Sequence, residues 1–213
     1  MKKSIILFAA LAVLTLLPSA PVRADIVLLD FSGGSSGEIT GLNHEVGWSF
    51  TVNQTFDIGA LSWYDIALNT DAPHLVSVWH DNGLLVTEVL VGSGASGSSL
   101  VLSAGNSGTA NYWQTPITPV SLIPGSYVIG GSVNPDIGER VMYAATAVTT
   151  NPVITYTGNR SRDTAPGRPD IAFGDGGFFG PNLSAAVPEP STYLLLTIAL
   201  GAVSFCRRLK KNS

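Results

Sequence analysis

Alternation of apolar and polar positions runs through the middle of the chain and predicts β-strands. In residues 46–52, Val46, Trp48, Phe50 and Val52 alternate with glycine, serine and threonine. A period of two places every second side chain on the same face, so this strand is expected to bury one face only. Other runs rich in β-branched and aromatic residues are expected to form strands at residues 56–64, 75–79, 84–91, 112–117, 127–133, 141–148 and 153–156.

Turn residues separate these strands. Asn82-Gly83 joins two apolar runs, which is the strongest short signal for a β-hairpin. Pro124-Gly125 predicts a type II turn before the strand that follows it, and Gly59 is expected to form a bulge within its strand. The body, residues 25–187, shows many short strands and no sustained helical period. Its predicted fold is therefore all-β, an antiparallel, jelly-roll-like β-sandwich.

Two stretches rich in glycine and serine, residues 32–37 and 92–108, are expected to be mobile surface loops. Residues 33–37 also match the G-x-S-x-G string of hydrolases, which acts only where a strand and a helix strain the serine. The flanks here predict no such turn, so the string indicates a loop rather than a nucleophile.

The N-terminus has the pattern of a signal peptide. Residues 1–3 carry two lysines, residues 4–17 are apolar, and the small residues around Arg23 predict cleavage between Ala24 and Asp25. Residues 1–24 are therefore expected to direct export and to be removed. The alternative is a buried core helix at residues 5–17.

A second apolar segment lies near the C-terminus. Residues 191–206 carry no charge, and as a helix they would be about 24 Å long, short for a hydrocarbon core of about 30 Å. Cationic flanks stay on the cytoplasmic side, so residues 194–205 are expected to cross the inner membrane with the body outside. A buried C-terminal helix is the alternative. The cations that follow the segment are Arg207, Arg208, Lys210 and Lys211.

The order of features from residue 187 onwards carries a resemblance. Pro188, Glu189 and Pro190 precede the apolar segment and its basic tail, and this order resembles the PEP-CTERM sorting signal of Gram-negative bacteria. The prolines favour extended backbone, which keeps Glu189 accessible to a processing enzyme. The resemblance implies processing of residues 188–213 by a membrane-embedded exosortase, and an association with the matrix of an exopolysaccharide-producing bacterium.

The charge of the body indicates which partners it can bind, and its cysteine content indicates whether it can form a disulfide. It holds 14 acidic residues against four arginines, a formal charge of −10, so nucleic acid is not expected as a partner. Its lack of cysteine excludes an intramolecular disulfide although an exported protein meets an oxidising compartment. No cofactor is predicted.

Residues 45–184 carry a second resemblance. They are similar to a bacterial extracellular domain of unknown function that is common in PEP-CTERM proteins, which implies a β-sandwich without assigning an activity. The runs that carry this resemblance are VGWSFTVNQTFDIGALSWYD, HLVSVWHDNGLLV, YWQTPITPVSLIPGSYVIGG and FFGPNLS.

Metal sites are weakly indicated. The three histidines, His44, His74 and His80, lack the spacing of zinc ligands and are expected to be surface or edge-strand residues. A structural calcium ion remains an alternative, because aspartates fall at predicted loops or strand ends, although they follow no EF-hand pattern. These aspartates are Asp25, Asp30, Asp65, Asp71, Asp81 and Asp175.

Two aromatic pairs are the best candidates for ligand contacts. Neighbouring residues of a strand point to opposite faces, so Trp63-Tyr64 and Tyr112-Trp113 each leave one ring outward unless their strand is buried on both sides. Outward rings can stack on sugars, although a place at the rim of the core is the plainer explanation. Arg160, Arg162 and Arg168 lie in a charged loop, which either binds an anionic polymer or pairs with its own aspartates.

Three functions follow from these features. The favoured hypothesis is a non-catalytic structural or interaction protein, held transiently in the inner membrane, processed by an exosortase, and released to the envelope or the extracellular matrix. The second is a carbohydrate-binding module for exopolysaccharide. The third is a secreted hydrolase, for which the sequence nominates no catalytic residue.

Overall fold

The computed structural model describes residues 26–38, 44–65, 72–102, 111–133, 140–145, 147–164, 166–173, 177 and 179–186. All of them belong to one compact unit, Asp25–Ala186. The predicted signal cleavage site, sorting motif, membrane segment and basic tail lie outside the described residues. Within these ranges, no helix has the length and hydropathy that crossing a membrane requires.

The described residues form β-strands joined by turns and loops. Their bounds are β1 (Ile26–Val27), β2 (Leu29–Ser32), β3 (Ser35–Glu38), β4 (His44–Val52), β5 (Phe56–Asp65), β6 (His74–His80), β7 (Leu85–Val91), β8 (Ser99–Leu102), β9 (Asn111–Leu122), β10 (Gly125–Val133), β11 (Arg140–Tyr143), β12 (Ala147–Thr150), β13 (Ile154–Arg162), β14 (Ile171–Phe173) and β15 (Pro181–Ala185).

Two large sheets and two ribbons make up the body. The six-stranded sheet has the order β14-β13-β4-β10-β6-β7, and the five-stranded sheet has the order β1-β15-β5-β9-β8. The ribbons pair β2 with β12 and β3 with β11, and all these pairings are antiparallel. The predicted all-β class is confirmed. A jelly roll has eight strands in two sheets, and the observed strand order does not confirm that arrangement.

The main core lies between the two large sheets. Trp48 of β4 is fully buried and donates its indole N–H to the backbone oxygen of Pro181 in β15, at 2.8 Å. Trp63 of β5 stacks on His74 of β6, with ring centroids 3.8 Å apart. Gly131 of β10 makes this close packing possible, because a Cβ atom there would lie 2.4 Å from the Trp63 ring.

The ribbon of β2 and β12 covers the other face of the five-stranded sheet. Phe31 of β2 meets Tyr64 of β5 edge to face, with centroids 4.9 Å apart. Asn182 of β15 donates hydrogen bonds from its side-chain amide to the Leu29 backbone oxygen at 2.6 Å and to the Tyr112 hydroxyl at 3.2 Å. The middle of the five-stranded sheet is therefore buried on both faces.

Several local predictions are confirmed. The hairpin at Asn82-Gly83 joins β6 to β7, where the His80 N–H donates to the Leu84 carbonyl at 2.9 Å. The pairing of β5 with both neighbours shifts between Ile58 and Ala60, so Gly59 is the predicted bulge.

Other local predictions are wrong. Residues 141–148 form two strands, β11 and β12, rather than one. Residues 35–37 belong to β3, and β8 lies within the second predicted loop, because pairing with β11 and β9 satisfies the backbone of these glycine- and serine-rich segments. Strand β4 is buried on both faces over most of its length rather than on one.

The two ends of the body differ. At one end, called the exit end, β1 pairs with β15 through Ile26 and Ala185, and the Ala186 N–H donates to the Asp57 carbonyl. Four short loops share this end, since their flanking strands pair there: residues 53–55, 81–84, 123–124 and 151–153. At the opposite end, called the far end, the described connections are longer: residues 92–98 follow β7, and residues 163–170, of which residue 165 is not described, follow β13.

Candidate functional site

The predicted aromatic contacts lie mostly inside the body. Trp63, Tyr64 and Tyr112 are each at most 5% exposed, so the expectation that an outward ring of these pairs meets a ligand is wrong for all three. Trp63 packs against the six-stranded sheet and Tyr64 against the ribbon, so the strand that carries both is buried on its two faces. Trp113, which pairs with Trp63 across β5 and β9, is half-buried.

Tyr112 lies in a part of the five-stranded sheet from which solvent is excluded. Its ring packs against Tyr64, with centroids 5.2 Å apart, and burial raises the pKa of its hydroxyl well above the ordinary value. The hydroxyl is held by the amide of Asn182. Tyr112 therefore acts as a buried neutral hydrogen-bonding group in this structure, not as a surface contact.

A buried carboxyl group marks the outer face of the six-stranded sheet. Glu45 lies on β4 opposite Ser132 of β10 and Arg162 of β13, on the face turned away from the five-stranded sheet, yet it is only 1% exposed. Alternation along β4 would leave such a side chain in solvent. Its burial requires a cover, which the connection between β13 and β14 supplies.

This connection, residues 163–170, is called the covering loop; residue 165 lies outside the described residues. Pro169 is buried over Gly130, where an added Cβ atom would lie 2.8 Å from the proline ring and 3.1 Å from Trp79. Gly167 lies against the Arg162 guanidinium, where an added Cβ atom would be 2.9 Å from Nη1. Glycine at these two positions lets the loop lie flat on the sheet.

The environment of Glu45 favours its protonated form. Burial raises the pKa of the Glu45 carboxyl from 4.5 to about 8, a hydrogen bond from the Gly167 backbone and the Arg162 charge oppose this rise, and Glu88 adds to it. Its Oε2 atom has no hydrogen-bond partner among the described residues. A carboxyl with this pKa is mostly protonated at neutral pH, which lowers the cost of burying it.

Ion pairs and hydrogen bonds hold the covering loop in place. Arg168 Nη2 lies 2.7 Å from Asp81 Oδ1 in the β6–β7 hairpin. Arg162 donates from Nε to Thr164 Oγ1 at 3.2 Å and from Nη1 to the Arg168 carbonyl at 3.5 Å. Arg162 and Arg168 make contacts within the protein, but Arg168 pairs with Asp81 of the hairpin rather than with an aspartate of its own loop, as the second of the two predicted roles required.

The three histidines lie in different environments. His74 is buried in the core with Nδ1 2.8 Å from the Ser132 carbonyl, rather than at the surface. His80 packs on Tyr127, and His44 Nδ1 lies 3.7 Å from Asp163. No group of three or more His, Cys, Asp or Glu side chains within the described ranges is arranged to hold a metal ion.

Sequence reasoning missed Glu45 and the covering loop that buries it. A glutamate at a polar position of an alternating strand is typical of a solvated face, and no local pattern says that a loop over 100 residues later will cover it. The only sequence signal is the run of Pro and Gly between Arg162 and Asp170, which permits a flat, extended loop.

Comparison with family models found one match. Residues 186–211 match the PEP-CTERM protein-sorting motif, which confirms the prediction from the order of motif, apolar segment and basic tail. The motif implies processing by an exosortase, with a membrane-anchored intermediate that precedes export. Comparisons with curated proteins and with solved structures found no match to the chain.

Proposed function

We propose that the protein is a non-catalytic interaction module of the cell envelope or extracellular matrix, which an exosortase releases as an intact β-sandwich. The observation that carries this proposal is the pairing of β1 with β15. It brings residue 26, next to the predicted signal cleavage site, beside residue 185, next to the sorting motif. Both ends of the mature body then lie at the exit end.

Cleavage at the predicted signal cleavage site and at the sorting motif would remove no strand from the body. The predicted cleavage after Ala24 precedes β1, and the sorting motif at Pro188 follows β15, whose last residue is Ala185. β15 lies between β1 and β5, so its main-chain hydrogen bonds are made on both sides by strands that the mature protein keeps. A body cut at both sites retains its complete core, as a released module requires.

The arrangement of the described loops is compatible with a role in binding. The exit end has loops of two to four residues, while at the far end residues 92–98 and the covering loop form connections of seven and eight residues. Loops on a rigid scaffold are where binding residues concentrate. A body anchored at its exit end would present these two longer connections away from the membrane.

Carbohydrate binding is the second candidate. Trp113 is the one predicted aromatic contact that keeps partial exposure, and Leu100 beside it on β8 is also exposed. A half-buried indole next to an exposed leucine offers an apolar surface of the kind on which a sugar ring stacks. This candidate therefore rests on Trp113 and not on Trp63, Tyr64 or Tyr112.

Retention on matrix polymer tests the proposal. Full-length protein is produced in an exosortase-containing host, and the released form is passed over immobilised exopolysaccharide from that host and over its polysaccharide-free matrix fraction. Retention by either fraction supports an interaction module, and loss of polysaccharide retention in Trp113→Ala but not in Ile171→Ala, an exposed aliphatic residue of the other large sheet, assigns the second candidate. Turnover of a glycan or an ester, or no retention by either fraction, would overturn the proposal.

A further inference from the structure

The exit end exposes three large aliphatic side chains. Leu84 is 64% exposed, Leu85 45% and Ile123 58%. Leu84 and Leu85 lie at the end of the β6–β7 hairpin loop and the start of β7, and Ile123 lies in the turn between β9 and β10. Together they are called the exit-end patch.

Contacts between the two loops hold these three residues at the same end of the six-stranded sheet. The Asp81 N–H donates to the Ser126 carbonyl at 3.0 Å, which fixes the hairpin against the start of β10. The Tyr127 hydroxyl donates to the Ile123 carbonyl at 3.0 Å, while the Tyr127 ring packs on His80, with centroids 4.7 Å apart. The patch is therefore presented by two loops that share a support, not by a single loose segment.

The surroundings of the patch carry little charge. Asp81 is the only charged residue in the four short loops of the exit end, residues 53–55, 81–84, 123–124 and 151–153, and it pairs with Arg168. The other residues of these loops are Asn, Gln, Thr, Gly, Pro, Val, Leu and Ile. Asp57 at the start of β5 is also exposed at this end, so it is the four loops, rather than the whole end, that carry little charge beside the exposed leucines and isoleucine.

The chain leaves the sheet at this same end. Ala186 is bonded to Asp57 at the start of β5, and the residues that match the sorting motif begin at Ala186. Residues 187–193 precede the apolar run, and seven extended residues span at most about 25 Å. A body anchored through the sorting motif is thus held with its exit end within reach of the bilayer surface.

We propose that the exit-end patch contacts the lipid surface of the membrane in the anchored intermediate. Exposed aliphatic side chains enter the region between headgroups and acyl chains, where apolar faces are buried about 5–10 Å deep. Contact through the patch orients the body, with the far end directed away from the membrane. The inference rests on the membrane-anchored intermediate of the proposed function and adds a lipid-binding surface to it.

Site-specific fluorescence in the full-length protein tests this surface. Cys206, the one native cysteine, is replaced by serine, and single cysteines are introduced as Leu84→Cys, Ile123→Cys and, as the matched control, Ile171→Cys. Ile171 is 46% exposed and pairs with Ser161 of β13, which pairs on its other side with Val46 near the far end. Each variant is labelled with an environment-sensitive dye and reconstituted into phosphatidylcholine and phosphatidylglycerol vesicles that carry a spin label on the upper acyl chain.

The expected result is a blue shift and several-fold stronger quenching by spin-labelled lipid at positions 84 and 123 than at position 171. Equal quenching at all three positions in protein that floats with the vesicles would overturn the lipid contact and leave the proposed function standing. A blue shift at positions 84 and 123 that grows with protein density, without quenching by spin-labelled lipid, would overturn the lipid contact. It would show that the patch contacts a second copy of the chain. Protein that does not float with vesicles would contradict the anchored intermediate itself.

Discussion

Replacing the buried carboxyl of Glu45 is predicted to change how the stability of the body depends on pH. The folded protein holds the Glu45 proton up to about pH 8, whereas an unfolded chain releases it near pH 4.5. Between these values the folded state binds more protons than the unfolded state, so the free energy of unfolding falls as the pH rises. Below pH 4.5 both states are protonated, and above pH 8 the effect is complete.

The magnitude follows from the same shift. Each pKa unit corresponds to about 1.4 kcal/mol, so the wild-type body should lose about 4 kcal/mol of stability through Glu45 between pH 5 and pH 8. That is a large part of the 5–15 kcal/mol typical of a whole domain. With a urea slope of about 2 kcal/mol per molar, the unfolding midpoint should fall by about 2 M.

Urea unfolding of the body, Asp25–Ala186, followed by tryptophan fluorescence at pH 5, 6.5 and 8 measures this effect. Glu45→Gln keeps the size of the side chain and cannot ionise, so its midpoint should vary much less with pH than that of the wild type. Asp170→Asn, an exposed carboxylate of the same covering loop, is the matched control and should keep the wild-type dependence. A wild-type midpoint that does not fall from pH 5 to pH 8, or an equal fall in Glu45→Gln, would refute the reasoning.

Three substitutions in the body and its loops test the packing. Gly131→Ala places a methyl group against the Trp63 ring and should destabilise the body by about 1–3 kcal/mol in thermal unfolding, with Ser126→Ala on the same strand nearly neutral. Trp48→Phe leaves the buried Pro181 carbonyl without its donor and should cost about 1–3 kcal/mol; a cost near zero would contradict the 2.8 Å bond. Asp81→Asn removes a largely exposed ion pair and should cost under about 1 kcal/mol; a much larger loss would show that the pair holds the covering loop more strongly than its exposure indicates.

The parts of the fold that the sequence predicts are those set by local rules. Strand β4 and the hairpin at Asn82-Gly83 follow from alternation and from the preference of Asn-Gly for tight turns, and the bulge at Gly59 follows from the conformational freedom of glycine. The sorting motif is equally local, since its three features lie within the 26 residues that the family model matches.

The parts that the sequence does not predict depend on contacts between distant residues. Tyr64 is buried because Phe31, 33 residues earlier, covers it, and Glu45 is buried because the covering loop returns over β4 after the chain has built most of both sheets. Alternation with a period of two predicts a strand that has one face exposed to solvent. Both aromatic pairs and Glu45 lie instead where a third layer, the β2–β12 ribbon or the covering loop, covers that face. The short strand β3 forms for a similar reason, because β11 supplies a pairing partner about 100 residues later.

The intact mass of the protein recovered separately from membranes and from culture medium tests the central claim most directly, since it reads both ends of the chain in one measurement. Export, sorting and release predict a species in the medium that starts at Asp25 and ends between Val187 and Pro190, accompanied by a longer, membrane-bound precursor. The same species should be absent from the medium of a host without exosortase. Retention of Ser213 in every fraction would contradict release by an exosortase and would identify the tail as a permanent anchor.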